Sequence, residues 1–566
     1  MPRSRRRTLL LLALAVANAA LFLPAMRGGF FWDDKILVSE NPFLSGPDFW
    51  RTFLTAPFTG PSGWDRNSAA LDRGVPFYRP LTALSYRLDL DLWGFNPAAF
   101  HLTNILLQVL NTLLFVLLLF RLGFKDEEAL AGGLLFTLFP LHFESVAWIS
   151  GRTDLLAFAA GSLALLCIFR FREGKCGLWG TLAGGAYFLA LLAKESLVLL
   201  PGLAFLVLFF PGRRLKRALS GLAFFSVPFL LWVGLRSAAV RSPTPDISLE
   251  SAGRVFSALG FYAGRILFPF RLGLTVDAGR VFGNPAYLGM GLAVGLALVA
   301  AWAFIFKGKG RSPAAAAGAS ASLLVAPALA VVLSPSVESL LAWRFLYPLT
   351  ALFVLAAVWA AFKFLPRPAA AVVLAGLGIL YLVEIHPKVG WYAKDEAEIW
   401  LSVDPVGRED ALARLNIGLV WLEKDERRGL SILDGLTAET RRPGRERFGL
   451  RVAEELAAHF VRTKEPAKAR LYFEEVLRSG TPPSTFFFLN YAVFLVYEGR
   501  PEEGERLIAK ILELFPENHL VLLNAARFYA VAGNNEKAAD CLRKDYALFP
   551  SPQTLEEIRA LERSIK

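Results

Sequence analysis

The sequence predicts an all-α protein: a polytopic transmembrane helical bundle of about eleven spans, followed by a C-terminal tetratricopeptide-repeat α-solenoid. Three observations lead there. The 566 residues are 55% hydrophobic with a mean hydropathy of +0.44, too apolar for one soluble domain. Long apolar runs alternate with short basic clusters through the N-terminal part of the chain. From Trp391 onward charges become frequent and a 34-residue period appears, joining Asn490 to Asn524, Ala492 to Ala526, Gly499 to Gly533 and Pro516 to Pro550.

Taken in chain order, Arg3, Arg5, Arg6 and Arg7 precede an apolar stretch from 8 to 26. It is longer than the roughly 7–15 residues of a signal-peptide core and lacks a small-residue cleavage site, so a retained first span with a cytoplasmic N-terminus is expected. Further spans are expected to begin near Leu102, Ala129, Leu155, Leu178, Ser196, Ala218, Ala286, Ala314, Phe345 and Ala369. Arg170-Phe171-Arg172, Arg213-Arg214-Leu215-Lys216-Arg217, Lys307-Gly308-Lys309-Gly310-Arg311 and Lys363 with Arg367 fall between alternate spans, as cytoplasmic loops do. Much of the net charge of +12 is thereby accounted for, and no nucleic-acid partner is implied. The count closes if 254–270 stays in the interface or re-enters.

This bookkeeping gives a membrane domain over 1–386, with a long first outer loop at 27–80, and an extracytoplasmic repeat domain over 387–566. The outer face also receives 142–154, 193–196, 236–285 and 334–342. In the repeats the glycine closes the first helix and the proline ends the second, and an earlier unit over 457–477 fits with one residue of slip. Stacked in this way, three or four repeats offer a concave groove for a protein partner or acceptor. Cys167, Cys176 and Cys541 are too few and too scattered for a disulfide framework or a zinc site.

The chemically interesting residues share the outer face. Asp33 and Asp34 stand side by side in Phe31-Trp32-Asp33-Asp34-Lys35, where carboxylates are costly near hydrocarbon and well placed to take a proton. Trp64-Asp65-Arg66 follows in the same loop, and Arg79, in Tyr78-Arg79-Pro80, suits either a bidentate grip on phosphate or a snorkelling anchor. His142, Glu144, Arg152 and Asp154 share one inter-span turn, in which His142 and Glu144 meet on one face only if extended. Pairing of Arg152 with Asp154 or Glu144 is the structural alternative to direct chemistry. Lys194-Glu195 interrupts an apolar run, and such a pair needs each other, a lipid headgroup or a water-filled cavity. Arg265 and Arg344 add cations suited to an anionic headgroup.

The succession Trp32-Asp33-Asp34, Tyr78-Arg79-Pro80-Leu81-Thr82, His101-Leu102-Thr103-Asn104, Pro140-Leu141-His142-Phe143-Glu144-Ser145, Gly151-Arg152-Thr153-Asp154, Ala193-Lys194-Glu195 and Pro269 with Asp277, ahead of repeats, resembles the transmembrane and tetratricopeptide-repeat O-mannosyltransferases and their bacterial relatives. Where eukaryotic members carry Ala-Glu-Arg, this chain has Ala342-Trp343-Arg344. The resemblance implies a multi-spanning C-type (GT-C-like) glycosyltransferase, taking a sugar such as mannose from a polyprenyl-phosphate donor and passing it to a protein or glycan hydroxyl with inversion. It implies Asp33 or Asp34 as general base, with Asp33 preferred by position, and Arg79, Arg152, Lys194, Arg265 and Arg344 as candidates to neutralise the departing phosphate. His142, Glu144, Asp154 and Glu195 are then expected on the acceptor side. No metal or other cofactor is required, although two carboxylates are available to a divalent cation. The Ala/Arg/Leu-rich composition, with Ser564-Ile565-Lys566 in place of a retrieval tetrapeptide, fits a bacterial inner membrane with the repeats in the periplasm. A lipid or glycan transporter, or a non-catalytic scaffold with a repeat docking arm, is the alternative; the former predicts inverted repeats among the spans, and none is evident.

Overall fold

A computed structural model describes residues 3–39, 41–46, 49–58, 77–174, 177–210, 215–240, 248–306, 313–333, 341–407, 411–440, 446–479, 483–516, 518–548 and 552–565. Trp64-Asp65-Arg66, Cys176, Pro550, the basic residues at 213–214 and 307–311, and positions 334–340, expected on the outer face, lie outside the described residues. Among the described residues there are helices and turns and no strand.

Among the described residues eight helices are long and apolar enough to cross a membrane: Arg5–Arg27, Pro97–Arg121, Ile149–Arg172, Leu215–Ala239, Pro285–Ile305, Ala315–Leu333, Trp343–Phe364 and Arg367–Trp391. The other three predicted spans are helices as well, but shorter: Asp126–Leu138, Gly177–Ala193 and Leu200–Phe209. The chain is an integral membrane protein of the all-α class. Its contacts resolve into two compact units, one of Met1–Asp34, Tyr78–Ala238 and Ser242–Asp410, the other of Lys35–Phe77, Ala239–Arg241 and Ala411–Lys566.

Inside the first unit, polar side chains fix how the helices meet, because apolar faces alone have no preference for one another over lipid. Asn18 is fully buried and its Nδ2 donates to Thr112 Oγ1 at 2.8 Å and Thr137 Oγ1 at 3.0 Å, tying Arg3–Phe22 to Pro97–Arg121 and Asp126–Leu138. Residues 254–270 enter the helix Leu249–Leu267, which is not among the eight spans and packs along Pro285–Phe306. That crossing depends on glycine: a Cβ on Gly291 would stand 1.7 Å from Phe256 O, and one on Gly260 would stand 2.0 Å from Tyr287 O.

The helix Pro80–Trp93 is built inside out. Thr82, Tyr86 and Asp89 are buried, whereas Leu88, Leu92 and Trp93 are 46, 70 and 60% exposed. Its polar side therefore faces protein and its apolar side is continuous in character with the exposed Leu102, Leu106 and Leu110 of the adjoining span. Asn96 separates the two, its Oδ1 accepting the Ala98 N–H at 3.2 Å as an N-cap.

In the second unit four helical hairpins stack: Ala411–Lys424 with Glu426–Thr440, Glu446–Arg462 with Pro466–Arg478, Thr485–Tyr497 with Pro501–Leu514, and His519–Val531 with Asn535–Leu548. Pro552–Ile565 packs on the last of them. Phe460, Phe473, Phe487, Phe494 and Phe528 make the continuous core. The intra-hairpin turn uses a left-handed residue at Lys464 (φ 60°), Gly499 (φ 73°) and Gly533 (φ 80°), so the slipped repeat carries lysine where its successors carry glycine. A non-glycine residue pays roughly 1–2 kcal/mol there. Lys464→Gly is accordingly expected to stabilise the solenoid by about 1 kcal/mol, read as a raised midpoint in urea unfolding of the purified protein.

Candidate active site

Asp33 and Asp34 lie on a tight turn just past the first span, and the fold treats them differently. Asp34 is fully buried. Its Oδ2 accepts the Phe31 N–H at 3.1 Å and its Oδ1 accepts the Ser150 N–H at 2.7 Å as well as the Ser150 hydroxyl. The turn is closed a second time by the Asp34 N–H, which donates to Phe31 O at 2.9 Å. Asp33 is half-buried, with its charge in electrostatic reach of Asp34 and Arg344. Asp34 is thus the clasp of the turn, and Asp33 is the less buried carboxylate of the two.

Burial pushes the Asp34 carboxyl up to about 7, a rise that the hydrogen bonds from Ser150 and Phe31 moderate and the neighbouring Asp33 charge reinforces. A carboxyl raised on folding contributes stability that is complete below its unfolded value of 3.8 and is lost as pH rises through about 7. Thermal unfolding followed between about pH 5 and pH 8 is therefore expected to show a smaller fall in Tm for Asp34→Asn than for the unmodified chain.

Around this turn the charged residues pair across helices. Arg79 donates from Nε and Nη2 to Glu195 at 3.3 and 2.7 Å, with Glu195 35% exposed. Lys194 Nζ sits 2.7 Å from both oxygens of Asp154, and that pair is sealed. Glu144 accepts the Arg344 backbone N–H at 2.9 Å and also its Nη1. Each of these cations acts electrostatically on others of the group: Lys194 is within reach of both Arg79 and Arg344. Arg265 makes no ion pair among the described residues; it donates to Phe270 O at 3.0 Å and lies over the rings of Phe261 and Trp343.

Several sequence-level expectations change here. Arg152, read as a phosphate ligand or a partner of Asp154 or Glu144, is fully buried and saturated. Its Nε donates to Asn104 Oδ1 at 2.8 Å, Nη2 to Phe100 O at 2.8 Å, and Nη1 to Ser85 O at 3.2 Å beside Asp89 at 2.6 Å. It bolts Pro80–Trp93 to the bundle, because a buried guanidinium is held by the partners that neutralise and hydrogen-bond it. Lys194 and Asp154 likewise spend their charges on each other. His142, read as facing the acceptor, is fully buried with Nε2 2.8 Å from Thr350 Oγ1 and Nδ1 3.4 Å from Gln108 Nε2. Burial drives it down to about 3, so it is a neutral latch between helices. Glu144 is an orienting partner for Arg344. Only Glu195, of the four acceptor-side residues, keeps an exposed side chain.

Among the described charged residues around the turn, Asp33, Arg344, Arg265 and the Arg79–Glu195 pair are the ones not sealed from solvent. Arg344 is fixed through Nη1 and its backbone, while its Nε and Nη2 make no hydrogen bond among the described residues. Asp89, Asn104, Gln108, Ser150 and Thr350 were missed in the sequence reading. Their one signal is that polar side chains recur inside otherwise apolar helices. Among the described residues no group of three or more His, Cys, Asp or Glu is arranged to hold a metal ion.

Fold and site together define a polytopic membrane protein that gathers paired carboxylates and several cations within its bundle and carries a repeat solenoid. Comparison with known proteins gives that class a relationship. The chain is similar to protein O-mannosyl-transferase TMTC1 of Mus musculus, 35% identical over 166 residues, covering 29% of this chain and 17% of that protein. It is similar to protein O-mannosyl-transferase Tmtc2 of Drosophila melanogaster, 34% identical over 186 residues (31% and 19%), and to protein O-mannosyl-transferase TMTC2 of Homo sapiens, 31% identical over 185 residues (31% and 20%). The matched segment spans about a fifth or less of the length of these relatives. No protein-family model matches the chain. Among solved structures, the P58(IPK) tetratricopeptide-repeat domain aligns at 12% identity with 71% of this chain and 98% of its own, at a TM-score of 0.20 that adds nothing to the repeat pattern. Over the matched segment the chain is similar to the protein O-mannosyl-transferases.

Proposed function

We propose that the chain is a glycosyltransferase that moves a sugar, a hexose such as mannose, from a polyprenyl-phosphate donor to a hydroxyl of a protein Ser or Thr on the periplasmic face of a bacterial inner membrane. The acceptor hydroxyl attacks C1 of the sugar, its proton passes to Asp33, and the bond from C1 to the phosphate oxygen breaks, so that the lipid phosphate leaves with the electron pair and the anomeric centre inverts. Arg344 and Arg265 meet the charge that builds on the departing phosphate. Arg79, held by two hydrogen bonds to Glu195, is a further cation on this side of the bundle. The repeats dock the acceptor protein. The observation that supports this reading is the split between two adjacent carboxylates, one fully buried and clamped by Ser150, the other half-buried and within electrostatic reach of Arg344. The relatives' names supply the sugar and the acceptor class.

The test is transfer of radiolabelled mannose into protein by membranes containing the chain, with polyprenyl-phosphate mannose or a nucleotide-linked mannose as donor. Label released from Ser and Thr by alkaline elimination is expected with the lipid donor alone. Absence of label from every lipid-linked sugar tried would leave the transporter or scaffold reading in its place.

A further inference from the structure

The residue before Asp33 stands in a conformation its side chain disfavours. Trp32 has φ of +50°, and Asp33 does not share the positive sign, so in the turn from Phe31 to Asp34 only the first central residue is left-handed. Glycine is the ordinary occupant of that slot. A bulky aromatic residue there is an outlier, and such strain, of order 1–3 kcal/mol, persists only where the surroundings over-determine it. The surroundings here are aromatic. The Trp32 indole stacks on Trp148 with centroids 5.8 Å apart and planes 13° from parallel, and meets Trp400 edge-on at 5.7 Å. Trp148 and Trp400 are 2 and 1% exposed, so neither has room to follow if Trp32 moves.

Trp148 is also the neighbour of everything else that sets this turn. Its Nε1 donates to Phe31 O at 3.2 Å, and the guanidinium of Arg344 lies 4.6 Å from the centre of its ring. One buried indole thus touches the residue on each side of the turn's strained bond and the cation opposite Asp33. Glu144 in turn holds Arg344 in register.

We propose that Trp32 is a positioning residue: the grip of Trp148 and Trp400 on its ring holds the backbone in the left-handed turn that aims Asp33 toward the space beside Arg344. The proposal rests on the reading of Asp33 as the general base. Relaxed to negative φ, the turn rotates the following side chain away, and a displacement of about 1 Å at a reacting group is worth up to about 100-fold in rate.

A series at one position separates ring from backbone. Trp32→Phe keeps a ring in the slot; Trp32→Gly loses the ring but keeps the left-handed region accessible; Trp32→Ala loses the ring and disfavours the turn. Expected kcat for sugar transfer is within about 3-fold of the parent for phenylalanine, about 10-fold down for glycine and about 100-fold down for alanine, with KM for the lipid donor within about 2-fold throughout. The thermal midpoint of each purified variant is measured alongside, and if alanine fails to fold the glycine variant carries the test, read against a near-parental phenylalanine variant. Equal kcat across the series, a glycine variant no better than alanine, or a loss confined to KM would overturn the proposal. Because Asp33→Asn is assayed in parallel, full activity in that variant sinks the base assignment itself, whereas its inactivity beside a flat Trp32 series sinks the positioning role alone.

Discussion

Asp33→Asn is expected to lower sugar transfer by about 10²–10⁴-fold, the range that removal of a positioned base commonly costs, while leaving Tm within a degree or two of the parent. The amide keeps the size of the carboxylate and loses the ability to accept a proton. Since Asp33 is half-buried and the clasp of the turn belongs to Asp34, little packing is disturbed. Asp34→Asn is the instructive contrast. Its amide still accepts from Ser150, but its NH2 then faces the Phe31 N–H, donor against donor, so the turn loosens and both stability and rate decline. Initial rates in membranes, with expression normalised by immunoblot and Tm taken on purified protein, distinguish the two. Transfer undiminished by Asp33→Asn would remove the base from the mechanism.

Lys194→Met is expected to be among the most destabilising single changes in the bundle, by about 3–5 kcal/mol, because it strands the fully buried Asp154 carboxylate without its ammonium. The second change Asp154→Leu should restore much of that loss, as replacing both ions by apolar groups removes the desolvation cost along with the attraction. Reversible unfolding in mixed micelles, run as a double-mutant cycle, measures the coupling. Additive losses would mean that the two side chains do not hold each other. Arg79→Gln, at the less deeply buried pair with Glu195, serves as the comparison and should cost less than Lys194→Met.

The outline of the molecule was legible because it depends on long-range averages. Apolar runs of span length, basic loops and a period of 34 residues survive any uncertainty about single side chains. The acid doublet was legible for the opposite reason, since two carboxylates beside hydrocarbon are rare enough to stand out alone. The pairing was not. Arg152 with Asp154, and Lys194 with Glu195, look like partners on the page, yet residues two apart on a helix do not face each other, and an extended Lys194 sends its side chain to the other side from its neighbour's. Each finds its counter-ion on another element: Arg152 at Asp89, Lys194 at Asp154, Glu195 at Arg79. The division of labour between Asp33 and Asp34 was equally hidden, because it is set by Ser150, far along the chain.

The division of the chain between its two units bears on any attempt to exchange parts between relatives. The chain enters the repeat-bearing unit at Lys35, one residue after Asp34, and leaves it at Phe77, two residues before Arg79. A chimera that grafts a foreign solenoid behind residue 410 while keeping the native 35–77 would mate two halves of an assembly that never evolved together. Transplants made as a matched set, loop and tail from the same donor, are the ones to build.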